Sequence, residues 1–238
     1  MKFAEALTGA AREFGLELSP EQIAAFSLYN ELLVSWNEKV NLTAITEPQE
    51  VAVKHIIDSL SCYDPEIFPG KCTVVDVGTG AGFPGLPLKI YRPDIRLTLM
   101  DSLNKRLVFL QEVVDRLALA DVTLIHARAE DAGQSKEHRG KYQIALSRAV
   151  ARLNVLAELC LPMVSSGGYF IALKGAQYRQ ELQEADKAIT ILGGHVATVR
   201  PVHLPGLDDS RAVIYIRKAA VTPAEFPRRP GIPEKKPL

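Results

Sequence analysis

The spacing of apolar residues changes once along the chain, near residue 70. Before that point it is helical. Ser19-Pro20-Glu21-Gln22 supplies an N-cap hydroxyl, proline at the first helical position and glutamine three residues after the cap. Ile23, Phe26, Leu33 and Trp36 follow near a 3.6-residue period. Thr46-Glu47-Pro48-Gln49 repeats the start signal ahead of Val53, Ile56, Ile57 and Leu60. Val40-Asn41-Leu42-Thr43 reads as a short break between two helices. Asp64-Pro65 and Pro69-Gly70 punctuate the boundary.

After it, short apolar runs alternate with amphipathic stretches. Strands are predicted over 72–77, 96–100, 122–127, 144–147 and 169–173, the last preceded by Gly167-Gly168. Helices are predicted over 104–117, 153–163 and 176–192, with Gly193-Gly194 closing the last. Strand–helix alternation predicts an α/β fold with a doubly wound, Rossmann-like parallel sheet. Two final strands, 196–204 and 212–216, are too close in sequence for a parallel crossover and are expected as an antiparallel hairpin. The expected organisation is an N-terminal helical extension (1–66), the sheet domain (67–218) and a basic, proline-rich tail (219–238). The tail holds Pro223, Pro227, Pro230, Pro233 and Pro237 and reads as extended chain. No internal repeat is visible.

Composition narrows the class without naming it. The 238 residues are 47% hydrophobic and 24% charged, an ordinary globular balance that excludes global disorder. Basic and acidic side chains number 28 each, yet residues 1–70 carry four basic and eleven acidic groups, and 211–238 seven basic and two acidic. A polyanion would therefore be met locally. Cys62, Cys72 and Cys160 have no metal-binding spacing and read as reduced thiols, so no metal is expected. The start, Met1-Lys2-Phe3-Ala4-Glu5, lacks a secretory pattern, and no apolar run suits a membrane span. The expectation is a cytoplasmic protein.

The informative stretch runs from Asp76 to Gly85: Asp76-Val77-Gly78-Thr79-Gly80-Ala81-Gly82-Phe83-Pro84-Gly85. Glycines after the first strand allow a sharp turn and close approach of a ligand to the main chain. Asp101, at the end of the next strand, can accept both hydroxyls of a ribose. Gly80-x-Gly82-x-x-Gly85 also fits a dinucleotide fingerprint, so a dehydrogenase is one reading. Asp76 opposes it, because a carboxylate there faces the place of the pyrophosphate. S-adenosylmethionine carries an ammonium and a sulfonium instead of phosphates. The D-x-G-x-G-x-G pattern and the final hairpin both fit class I methyltransferases.

Longer motifs carry a closer likeness. They are Trp36-Asn37 with Val40-Asn41-Leu42-Thr43, His55-Ile56-Ile57-Asp58-Ser59-Leu60, the glycine loop with Phe83-Pro84-Gly85, and Asp101-Ser102-Leu103-Asn104-Lys105-Arg106. Arg128-Ala129-Glu130, Ser147-Arg148-Ala149, Leu173-Lys174-Gly175 and Pro227-Arg228-Arg229-Pro230-Gly231 continue them. Over nearly its whole length the sequence resembles the RsmG (GidB) family of 16S rRNA guanine-N7 methyltransferases. The resemblance implies an S-adenosylmethionine site built from Asp76, Gly78, Gly80, Gly82, Phe83, Asp101, Ser102, Ala129, Glu130 and Arg148. In it Gly78 and Phe83 meet the methionine side, Asp101 and Ser102 the ribose, and Ala129 and Glu130 the adenine. It implies 16S rRNA as partner, as naked RNA, small subunit or assembly intermediate. Arg148, Arg152, Lys174, Arg228 and Arg229 are the RNA-contact candidates.

No general base is expected. After the fourth strand stands Ser147-Arg148-Ala149-Val150, not the Asn/Asp-Pro-Pro-Tyr/Phe used on exocyclic amines, and no Pro-Cys nucleophile appears. Guanine N7 offers a free lone pair and needs neither. His55 and Asp58, three apart, read as a pair fixing their helix against the sheet domain. A class I methyltransferase acting on another RNA or a small molecule is the enzyme alternative. A non-enzymatic RNA-binding module is a third reading, opposed by the intact loop, Asp101 and Glu130.

Overall fold

A computed structural model describes residues 2–238. Helix α1 (Phe3–Phe14) stops at Gly15, whose left-handed backbone returns its N–H to the carbonyls of Ala11 and Arg12. Helix α2 (Pro20–Asn37) opens on the expected capping box. The Gln22 N–H donates to Ser19 Oγ at 3.2 Å, and the Ser19 N–H donates to Gln22 Oε1 at 2.9 Å. The second start signal works differently. Glu47, not Thr46, is the N-cap, and it makes no side-chain cap bond. The first turn, α3 (Pro48–Glu50), passes into a π-helical stretch (Val51–Ile57) that ends in α4 (Asp58–Leu60). Every residue from 51 to 60 except Lys54 is buried, so this segment is enclosed on all sides rather than along one stripe.

Seven strands form one sheet: β1 (Thr73–Val77), β2 (Arg96–Asp101), β3 (Val122–His126), β4 (Tyr142–Arg148), β5 (Val164–Lys174), β6 (Gly194–Val202) and β7 (Arg211–Lys218). Their order is β3-β2-β1-β4-β5-β7-β6. The first five are parallel, and β7 pairs antiparallel with both β5 and β6. The expected hairpin is therefore present, at one edge and inserted through β7. Strand β5 is longer than the sequence predicts and contains Gly167-Gly168 rather than following them. A Cβ on Gly168 would lie 2.4 Å from the carbonyl oxygen of Gln143, so glycine lets β5 pass close to β4.

Alternate residues of each central strand feed two cores. Val74, Leu97, Leu99, Ile171 and Tyr215 face one layer, while Val75, Met100, Phe170, Ile214 and Ile216 face the other. Leu7, Phe26, Tyr29, Leu33 and Ile56 of the N-terminal helices share the first core with the sheet. The extension is thus a covering layer of the sheet domain. Helices α5 (Gly85–Tyr91) and α6 (Asn104–Arg116) complete this layer. On the opposite side lie α7 (Ala129–Gln134), α8 (Leu153–Cys160) with a 3-10 turn (Leu161–Met163), and α9 (Tyr178–Ile191). Neither α5 nor α7 is predicted from the sequence: α5 opens beside Pro84 and contains Pro87, and α7 spans six residues, too few for a period.

The last twenty residues return over α7 and α8 and finish near a short helix, α10 (Ile232–Lys235). Thr222, Phe226, Pro227 and Pro233 are buried. Arg139 holds this segment by donating to the carbonyls of Thr222, Pro223 and Phe226 at 2.6–3.0 Å. The expectation of an extended tail is corrected here: prolines keep it irregular, but buried apolar side chains and the half-buried Arg139 dock it.

Phe26 is fully buried in the shared core, so Phe26→Ala should destabilise the protein by about 3–5 kcal/mol. Urea unfolding followed by Trp36 fluorescence and by circular dichroism should remain one transition. Two separated transitions would make the N-terminal helices an independent unit.

Candidate active site

The carboxyl ends of β1, β2 and β4 meet where the strand order reverses, the place where open α/β sheets hold ligands. Asp76 organises the loop after β1. Fully buried, its Oδ2 accepts Thr79 Oγ1 at 2.7 Å and the Gly85 N–H at 2.9 Å. A Cβ on Gly85 would stand 2.8 Å from that oxygen, so the bond requires glycine there. Gly82, at φ 100°, faces the Tyr29 hydroxyl, 2.7 Å from where its Cβ would be, and Tyr29 donates to the Ala81 carbonyl. Burial raises the Asp76 carboxyl to about 6, and Oδ1 has no hydrogen-bond partner. Asp76 and Gly82 lie under the loop and line none of the clefts around it. In this structure both support the loop from below.

Three clefts adjoin at this edge. The first, about 130 Å³, has apolar lining from Val77, Met100, Ala127 and Leu159, joined by Arg128, Ala129 and Glu130. The second, about 410 Å³, includes Leu42, Thr43, Gly78, Gly80, Phe83 and Arg106. Gly78, Asp101, Ser102 and Val150 belong to both. A Cβ on Gly78 would lie 2.7 Å from Val150 Cγ2, so only glycine leaves the passage between them. The third cleft, about 470 Å³, is lined by Lys54, Asp58, Lys174, Glu181 and Arg211, and shares His55, Arg148 and Ala149 with the second. Ala149 sits in the left-handed region at φ 56°, strained backbone on the wall between two clefts.

Asp101 is buried, and Oδ2 accepts the Gly80 N–H at 2.9 Å while Oδ1 accepts the Leu103 N–H at 2.9 Å. Arg106 reaches the same carboxylate through longer contacts of 3.2 and 3.5 Å. Sequence reasoning missed Arg106 as a cleft residue, although it stands five residues on in the same motif.

Arg148 joins the N-terminal helices to the sheet. Its Nη1 donates to Asp58 Oδ2 at 2.9 Å and to the Lys54 carbonyl at 2.8 Å, and its guanidinium lies 5.0 Å over the Phe83 ring. Asp58 Oδ1 accepts Arg211 Nη1 at 2.9 Å. His55 does not pair with Asp58 as expected; both turn to Arg148. Nδ1 of His55 lies 3.3 Å from Arg148 Nη2 and 3.2 Å from the Lys54 carbonyl oxygen, and Nε2 lies 2.8 Å from Thr43 Oγ1. Burial, and then the Arg148 charge, lower the His55 pKa to about 4. Asn37 Oδ1 accepts the N–H groups of Leu42 and Thr43 at 2.8 and 2.9 Å, fixing the loop that edges the second cleft. The Asn37 and Leu42-Thr43 motifs were visible in the sequence, but their role required the fold.

Residues 22–211 match the family described as rRNA small subunit methyltransferase G (GidB). The chain belongs to this family. The ribosomal RNA small subunit methyltransferase G of Desulforamulus reducens is 52% identical over 98% of this chain and 97% of its own length. The protein of the same name from Bacillus subtilis is 47% identical, with 98% of each covered. A 16S rRNA methyltransferase of Thermus thermophilus, crystallised with AdoMet and guanosine, superposes with a TM-score of 0.50 at 14% identity. That match covers 71% of this chain and 40% of the other, and it speaks for the fold: a class I, Rossmann-like methyltransferase sheet.

Within this methyltransferase the five RNA-contact candidates separate. Arg228 forms a two-armed pair with Glu158, which is 1% exposed. Lys174 is buried against Glu181 at 2.6 Å and donates to the Ala151 carbonyl at 2.8 Å. Arg148 is spent on Asp58. In this structure all three are engaged in internal ion pairs. Arg152, paired with Glu184, and Arg229 are exposed. Among the described residues no group of His, Cys, Asp or Glu forms a metal site, and no helix is long and apolar enough to cross a membrane.

The depressed His55 pKa makes a pH prediction. The folded state binds fewer protons than the unfolded one between about 4 and 6.5, so this stability is complete above 6.5 and is lost as pH falls toward 4. The stability difference between the unaltered protein and His55→Gln should shrink by about 2 kcal/mol between pH 7 and pH 4.5, read by urea unfolding. A pH-independent difference would mean that His55 titrates normally. Asp76, raised and present in both proteins, acts in the opposite direction and cancels from the comparison.

Proposed function

We propose that the chain transfers the methyl group of S-adenosylmethionine to N7 of a guanine in small-subunit (16S) ribosomal RNA, in the cytoplasm. The observation that carries this reading is the two-part cleft over Gly78 opening, across the His55–Arg148 wall, onto a second cleft, in a chain of this family.

The residues suit such a donor. The narrow cleft has apolar lining fit for a flat base, joined by the Glu130 carboxylate. The passage at Gly78 would be filled by a Cβ, and the Asp101 carboxylate stands beside it. In this reading Asp101 and Ser102 hold the ribose, with its hydroxyls replacing the long Arg106 contacts on Asp101. Ala129 and Glu130 hold the adenine, while Gly78, Gly80 and Phe83 flank the methionine end. When bound, S-adenosylmethionine supplies an electrophilic methyl carbon on a sulfonium.

The chain's own work is to orient and to exclude water. Guanine N7 carries no proton, so no base is needed. The local groups fit that role. His55 is neutral at pH 7, with Nδ1 beside Arg148 and the Lys54 carbonyl and Nε2 beside Thr43 Oγ1. Asp58 spends both oxygens on arginines. Arg148 is held between Asp58 and the Phe83 ring and remains protonated, so it positions by charge and takes no proton. Of the RNA candidates, the exposed Arg152 and Arg229 suit phosphate contacts.

Asp101→Ala should weaken binding of S-adenosylmethionine by about 1–3 kcal/mol in isothermal titration, the worth of bonds to a charged acceptor. An unchanged dissociation constant in folded protein would limit Asp101 to bracing the loop. RNA with 7-deazaguanine at the target should bind and accept no methyl group. A methylated product from that RNA would move the acceptor atom away from N7.

A further inference from the structure

The narrow end of the donor cleft is bounded by two helices from different crossovers, α7 through Glu130 and α8 through Leu159. One short piece of the C-terminal chain is bonded to both. On the α8 side, Glu158 Oε1 accepts the Arg228 N–H and Nε at 2.8 Å each, and Oε2 accepts Nη2 at 2.5 Å. Three residues later, the Gly231 N–H donates to Glu130 Oε1 at 3.0 Å. On α7, Gln134 Nε2 donates to the Pro227 carbonyl at 2.8 Å, and a Cβ on Gly133 would meet the Pro227 ring at 2.7 Å. Glu158 precedes Leu159 of the pocket wall, and Glu130 is itself in the wall. Each end of the segment therefore grips a residue in or next to the pocket.

We propose that residues 226–231 are a strap that sets the spacing of α7 and α8 around the donor, with Arg228 as its positioning residue. The inference rests on the donor-site reading above and extends it: this part of the basic tail serves cofactor binding rather than RNA contact. Two physical points support it. Glu158 is buried, and its charge is tolerable only with a partner, so Arg228 is committed to this place. Glu130, pinned by one oxygen, has less freedom left to lose when a ligand meets the carboxylate, and such preorganisation raises affinity.

The test is isothermal titration of S-adenosylmethionine into the full chain and into Arg228→Gln, together with steady-state kinetics and RNA binding across a salt series. The dissociation constant should rise about tenfold in Arg228→Gln, the donor KM should follow it, and kcat at saturating donor should hold. The slope of RNA affinity against salt should stay the same, because no phosphate contact is lost. Gln134→Ala, an exposed position whose side chain donates to the carbonyls of Pro227 in the strap and Ala224 just before it, is the second variant should Arg228→Gln fail to fold. It should raise the donor KM about threefold with kcat unchanged. Unaltered donor affinity in folded variants overturns the strap. A shallower salt slope with donor affinity intact overturns it too and returns Arg228 to the RNA surface. No binding of S-adenosylmethionine by the unaltered chain would refute the donor-site reading itself, and the strap with it.

Discussion

The Asp58 carboxylate, with one arginine on each oxygen, is the joint on which the active edge depends. Arg148 comes from the end of β4, Arg211 from the start of β7, and Asp58 from the helical segment laid over them. Asp58 is 6% exposed, and in that low dielectric both of its oxygens are compensated by a guanidinium. The ion cluster therefore fixes three separate elements in one arrangement. The π-helical turn before Asp58 fits the same demand: His55 and Asp58, three apart, both reach Arg148 while Ile56 and Ile57 remain in the core.

From that joint follows the division of space. Arg148, His55 and the strained Ala149 form the partition between the second cleft and the third. On one side the loop from Leu42 to Ile45 is tied through Thr43 to His55; on the other the Phe83 ring stacks on His55 with centroids 4.5 Å apart. The hydrogen-bonding capacity of these groups is used in holding one another. Such a partition aligns reactants well and moves protons poorly, which suits the proposed transfer to a ring nitrogen lone pair.

Charge is distributed on the same economy. Zero net charge conceals a basic C-terminal region, and the fold draws much of that region inward. Arg211 and Arg228 meet buried carboxylates, and Lys218 donates to the carbonyls of Leu161 and Leu192. Burial lowers the Lys218 pKa to about 8, so three carbonyl or hydroxyl partners hold an ammonium that water would otherwise solvate better. The positive groups left for a polyanion are fewer and more local than the sequence count indicates.

The sequence by itself determined the sheet class, the final hairpin and the ligand edge. Those rest on local causes: apolar strand runs buried on both faces, a capping box at Ser19, and a glycine loop whose Gly85 admits the Asp76 carboxylate. It also marked Asp101, Ser102, Gly78, Gly80, Phe83, Ala129 and Glu130, all of which line the two-part cleft. Tertiary structure alone decided the partners of the charges. Arg148, Lys174 and Arg228 look alike as basic residues in motifs, and each is paired by a carboxylate that lies from 7 to 90 residues away in sequence. It likewise decided that Asp76 supports the loop from beneath, that α5 and α7 form despite short or proline-broken sequences, and that the tail docks. Long-range pairing in a low-dielectric interior leaves no periodic trace in the chain, and that is why these features waited for the fold.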